Sequence, residues 1–186
     1  MNETLRQLFH LLFGLAIAVI ILVLDRAASF AVLSAGLFVG LIIVDLILRG
    51  TRVPLFSLLV DTMERQEDLP GKGSFYFSVS ALFCLVFFDP PQVFIAILVL
   101  SVLDAVATIA GTRFGRTRVI NEKSLEGTLA GAGVTAAVLF PFLPLSLALA
   151  ASAVAAIVEH LSPVDDNLLI PPVVCLALVV AGWPGV

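Results

Sequence analysis

Long hydrophobic runs separated by short polar breaks are the dominant pattern of this chain. The runs cover residues 8–24, 28–48, 74–88, 92–111, 125–140, 144–161 and 167–184. Several come near the ~20 residues that a helix needs to cross the hydrocarbon core, while 74–88 and 125–140 are shorter. Short spans in a bundle tilt less or thin the bilayer locally. The pattern predicts an all-α fold: a polytopic integral membrane helix bundle of about seven transmembrane helices, forming a single domain over residues 1–186. Six spans with one re-entrant segment is the alternative.

Composition points the same way. Hydrophobic residues make up 60% of the chain and charged residues 13%, against about 25% charged in a soluble domain. The polar surface needed to face water is missing, so most of the chain faces lipid. The net charge of −4 says little about partners, and no feature points to nucleic acid. Cys84 and Cys175 fall inside apolar runs and read as small core hydrophobes rather than a disulfide or metal pair. The first run is longer than a signal-peptide core, and Leu22-Val23-Leu24-Asp25-Arg26 is a poor cleavage site, so it reads as the first span.

Charge orients the bundle. With seven spans, Arg6, Arg49, Arg52, Arg65, Lys72, Arg113, Arg116, Arg118 and Lys123 fall on one side and Arg26 on the other. Positive loops stay in the cytoplasm. The N-terminus is therefore expected in the cytoplasm and the C-terminus outside, in a multi-pass protein of the cell membrane. The split also favours seven spans, since removing a middle helix would mix the sides.

Two polar stretches on that cytoplasmic side carry the candidate chemistry: Asp104–Gly131 and Glu159–Pro171. Asp104 lies seven residues before Gly111, about 10 Å below the expected helix end. A carboxylate at such depth faces a bundle interior or a wet cavity, either as a functional group or paired with a neighbouring helix. Ala107, Thr108 and Gly111 give its face small residues for close packing or for a substrate. Gly111 and Gly115 bracket a segment followed by Arg116-Thr117-Arg118. Glycine admits a phosphate close to the backbone and guanidinium forks bind it, although the arginines alone would serve equally to set topology. Ser124 is an N-cap candidate for the helix that follows, and its free N–H groups beside Lys123 and three arginines would form an anion site. Gly127, Gly131 and Gly133 allow tight helix packing; Gly127, at the mouth, suits either packing or phosphate.

In the second stretch, Asp165-Asp166-Asn167 opens the last helix, which capping explains in part. Glu159 with two adjacent aspartates on a basic face also suits Mg²⁺, which binds through one or two carboxylates plus substrate phosphates. Pro171 and Pro172 should distort the helix and free carbonyls near the site. His160 reads as an interfacial bystander with a general base as the alternative. Residues 53–60 could lie along the interface as an amphipathic helix.

At these residues the chain resembles the polyprenol kinase family of membrane enzymes, which includes dolichol kinase, phytol kinase and CTP-dependent diacylglycerol kinase. The matches are Asp104, Ala107, Gly111, Gly115, then Lys123-Ser124-Leu125-Glu126-Gly127-Thr128, and later Glu159, Asp166-Asn167 and Pro171. Weaker matches are Arg6, His10 and Gly14, and Glu64, Lys72-Gly73 and Tyr76-Phe77. The resemblance implies transfer of the γ-phosphoryl group of CTP to the hydroxyl of an isoprenoid alcohol (dolichol, phytol or geranylgeraniol type) or of diacylglycerol. It implies catalytic roles for Asp104, Lys123 and Glu126. Gly111, Arg113, Gly115, Arg116, Lys123, Ser124, Gly127 and Thr128 would hold nucleotide phosphates, and Glu159, Asp166 and Asn167 would hold Mg²⁺. Asp104 would accept the hydroxyl proton or join the metal shell. The related phosphatidate cytidylyltransferases, which make CDP-lipids, usually end in a basic and acidic signature absent here. A small transporter is the reading from another class, with Asp45 and Asp104 on an ion path. Against it, Asp45 and Arg49 are four residues apart and form a plain interfacial pair.

Overall fold

A computed structural model describes residues 3–54, 56, 70–118 and 123–184. The described residues form seven helices: α1 (Glu3–Val23), α2 (Arg26–Leu48), α3 (Lys72–Phe87), α4 (Pro90–Phe114), α5 (Leu125–Leu139), α6 (Leu145–Leu161) and α7 (Asp166–Val180). Their β-structure is limited to one isolated bridge between Arg118 and Ser124. The all-helical expectation holds, and each helix falls on one of the apolar runs. Most of the expected interfacial segment 53–60, and Glu64 and Arg65, lie outside the described residues.

Local chemistry starts each helix where the polar breaks fall. Asp25 accepts from the Ala28 N–H at the start of α2, Ser124 from the Gly127 N–H before α5, and Asp165 from the Asn167 N–H before α7. Pro90 and Pro91 open α4, where the missing N–H costs nothing. α1, α2 and α4, of 21, 23 and 25 residues, are long and apolar enough to cross a membrane. The other four helices have 15 to 17 residues, or roughly 22–26 Å of rise. The short set thus includes α6 and α7 as well as the two helices expected to be short.

α4 is the central post. It is apolar all round, and Val93, Ile95, Ile97, Val99, Leu100 and Leu103 are sealed from solvent. α1, α3, α5, α6 and α7 pack around it, whereas α2 packs on α1 and α3 at the margin and buries Ser29 and Leu33 alone. The outer faces present Phe30, Phe38, Ile42 and Leu48 of α2 and Leu12, Leu22 and Val23 of α1. Apolar surface this continuous marks a face made for lipid or another apolar partner.

α7 runs on through Pro171 and Pro172 without a break. Pro172 has no N–H for the carbonyl of Leu168, four residues earlier. The Ser80 hydroxyl of α3 donates to that carbonyl instead, at 2.9 Å. Of the two carbonyls freed by the prolines, that of Leu168 therefore stitches α7 to α3.

Candidate phosphate and metal site

Close packing brings the polar residues together. A Cβ added to Gly127 would stand 2.4 Å from the Ala107 carbonyl oxygen and 2.8 Å from the Gly111 Cα; one on Gly131 would stand 3.0 Å from the Ala107 Cβ. α4 and α5 touch backbone to backbone here because both present small residues. Ser124 fills the remaining space: a Cβ on Gly111 would meet its Oγ at 2.7 Å, and one on Gly115 its Cβ at 2.7 Å. The seam thus requires glycine at Gly111, Gly115 and Gly127, so the packing role expected for Gly127 is present. Gly133 is a correction to the expected packing, since among the described residues nothing lies within 4 Å of a Cβ added there.

At the same end of the bundle, α4 brings Asp104, α6 brings Glu159 and α7 brings Asp166. One carboxylate oxygen from each lies within 4.8 Å of the others. Lys123, one residue before the α5 cap, reaches this group: its Nζ donates to Asp166 Oδ2 and lies 3.2 Å from Glu159 Oε1. Burial works against the Lys123 ammonium, but Asp166 and Glu159 outweigh it and raise its pKa above the ordinary lysine range. Glu159 is 3% exposed, and its second oxygen, Oε2, is buried without a hydrogen-bond partner among the described residues.

α1 supplies residues that the sequence patterns singled out weakly or missed. His10 Nε2 lies 2.9 Å from Asn167 Oδ1 and 3.6 Å from Asp104 Oδ2, with its ring edge-on to Phe77. Asn167 Nδ2 donates to Asp165 Oδ1, so its oxygen faces His10 and the histidine donates from Nε2. The Gln7 amide, turned so that both its ends are satisfied, donates to Asp104 Oδ2 at 3.2 Å. Thr108 also donates to Asp104, at 3.4 Å. Gly14 makes this possible: any side chain there would collide with Ser101 and Phe77, so α1 can press against α4 and deliver His10 one turn away. In the sequence, Arg6, His10 and Gly14 were a faint signal and Gln7 carried none.

The remaining candidate residues sit apart from the carboxylates. Glu126 accepts from the Arg116 and Thr117 N–H groups and from the Thr117 hydroxyl, which folds the chain after α4 back onto α5. Leu125 N donates to the Thr117 carbonyl, closing the same turn. With Glu126, Arg113, Phe114, Gly115 and Arg116 line an open surface depression, where both guanidiniums are exposed. The expected ring of free amides at the start of α5 is corrected. Leu125 N goes to Thr117, Gly127 N to the Ser124 side chain and Thr128 N to the Ser124 carbonyl. Capping has consumed those donors. The Thr128 hydroxyl lies 3.1 Å from His160 Nδ1, tying α5 to α6.

Among known proteins, this chain is 31% identical over 183 residues to the uncharacterized protein MJ1137 of Methanocaldococcus jannaschii, covering 96% of this chain and 93% of that protein. No family model matches the chain. No solved structure matches it either.

Proposed function

The chain belongs to the same family as that archaeal protein, and for it we propose a Mg²⁺-dependent phosphotransferase working at a membrane surface. It moves the γ-phosphoryl group of a nucleoside triphosphate (CTP, by resemblance) to the hydroxyl of an isoprenoid alcohol or of diacylglycerol. One observation carries this reading: three carboxylates from three helices converge beside one lysine around a buried oxygen of Glu159 that has no partner among the described residues. A carboxylate left half satisfied in the interior costs free energy that a hard cation repays. The donor set of Asp104, Glu159 and Asp166 is all oxygen, which suits Mg²⁺.

Phosphoryl transfer asks the protein mainly for positioning and charge neutralisation. Glu159 and Asp166 would hold the cation, which would supply positive charge to neutralise the phosphates. Lys123 meets the phosphates as a point charge, with Arg113 and Arg116 at the outer rim. Asp104, steadied by Thr108, Gln7 and His10, accepts the proton of the acceptor hydroxyl as its oxygen bonds to the γ-phosphorus. The bond from that phosphorus to the bridging oxygen breaks, and the nucleoside diphosphate leaves. The lipid tail stays among the apolar outer faces of the helices. We further propose that all seven helices cross the membrane, with the N-terminus and the site on the cytoplasmic side, because nine of the ten Lys and Arg residues fall on that side.

The test is purified protein in detergent with CTP labelled in the γ-phosphate, Mg²⁺, and a panel of prenols and diacylglycerol. Labelled phospholipid together with CDP is expected. Release of pyrophosphate with a CDP-lipid product would move the assignment to cytidylyl transfer. No product from wild type, or full activity in both Asp104→Ala and Lys123→Ala, overturns the reading. The transporter alternative is weakened by Asp45, whose carboxylate is exposed and bound by Arg49 Nε at 2.7 Å.

A further inference from the structure

Lys123 sits where the cation of the proposed function must go. Its Nζ holds Asp166 Oδ2 and lies 3.2 Å from Glu159 Oε1. Those are the two carboxylates that hold the metal in the phosphotransfer reading. Mg²⁺ needs carboxylate oxygens at about 2.1 Å in near-octahedral geometry. An ammonium hydrogen-bonded to the same oxygens fills that space, and two cations so close repel each other strongly in a buried setting. Lysine also leaves Glu159 Oε2 without a partner among the described residues, although three carboxylates converge there.

We propose that Lys123 and the divalent cation are alternative occupants of the Glu159–Asp166 carboxylates. Lys123 closes the site until the cation binds, and the cation releases the ammonium toward the nucleotide phosphates. The chain is built for this movement. Ser124 pins the backbone next to Lys123 through its cap on Gly127 and its contact with the α4–α5 seam. The four-carbon stem of the lysine swings while its base stays fixed. Released lysine adds a positive charge at the phosphates, so cation and nucleotide favour each other's binding by the same factor. The inference rests on the phosphotransfer reading for the anion that receives the lysine; the competition itself rests on the contacts of Lys123.

Binding of Mn²⁺, followed by electron paramagnetic resonance on the full chain in detergent, reads the competition directly. Lys123→Met should bind Mn²⁺ roughly five- to fiftyfold more tightly than wild type without nucleotide, and CTP should no longer strengthen Mn²⁺ binding. Equal or weaker binding by the variant overturns the exchange. A second measurement needs no variant. The chain has two lysines, Lys72 and Lys123, so reductive methylation with ¹³C gives two assignable side-chain NMR signals. Added Mg²⁺ should move the Lys123 signal and leave that of Lys72. Mn²⁺ binding with an unmoved Lys123 signal overturns the exchange alone. Absence of Mn²⁺ binding in both wild type and variant overturns the phosphotransfer reading along with it.

Discussion

The two ends of this bundle use the same side chains to opposite effect. At one end, Arg26 bonds Asp89 at 2.8 Å with both side chains largely in the open. Asp25 caps α2, and Gln92 reaches the Asp89 N–H and the Trp183 carbonyl. These polar groups cap helices, tie turns or form an exposed pair. At the other end, Lys123, Asp104, Glu159 and Asp166 are drawn inward, the carboxylates outnumber the lysine, and one buried oxygen is left over. An exposed pair is worth little because water screens it, whereas a buried cluster of carboxylates is costly unless a cation or a proton compensates it. The difference separates a polar end that finishes the fold from one that gathers the candidate site.

Four experiments break or sharpen this contrast. The largest effect is expected from Glu159→Gln and Asp166→Asn, each lowering CTP-dependent turnover about a thousandfold or more by weakening cation binding. Asp89→Asn at the far end should leave turnover unchanged, and equal losses from both ends would erase the distinction. Next, Gly127→Val should cost about 3 kcal/mol by prising α5 from α4, read as a loss of thermal stability in detergent. Gly133→Val, into open space, should stay within about 0.5 kcal/mol. Removing the α5 cap with Ser124→Ala should cost about 1 kcal/mol and loosen Lys123, visible as weaker nucleotide binding. The smallest effect belongs to Arg26→Ala, at most about 1 kcal/mol with turnover intact.

Much of the frame was legible beforehand, for identifiable reasons. Unbroken apolar runs bounded by Asp25, Pro90, Ser124 and Asp165 could form little but helices, and those residues do start them. The grouping of Glu159 and Asp166 was also readable, because carboxylates on a basic face call for an explanation. Other features were hidden because they depend on which groups meet. The start of α5 looked open to anions until the Thr117 carbonyl and Ser124 took its amides. Glu126 looked suited to chemistry within its motif, yet its carboxylate gathers the amides of the loop after α4. Gln7 sat unremarked in an apolar helix, though it faces Asp104.

By itself, then, the sequence determined an all-helical, lipid-compatible chain and the two polar stretches in which its charge would gather. Those follow from local rules: hydropathy, helix length and capping act over a few residues at a time. Tertiary structure alone decided that Asp104, Lys123, Glu159 and Asp166 form one group and that His10 of α1 adjoins it. It also decided that Gly111, Gly115, Gly127 and Gly131 let α4, α5 and Ser124 close into a seam. Long-range packing sets such choices, because a carboxylate's partner lies wherever small residues allow two helices to close.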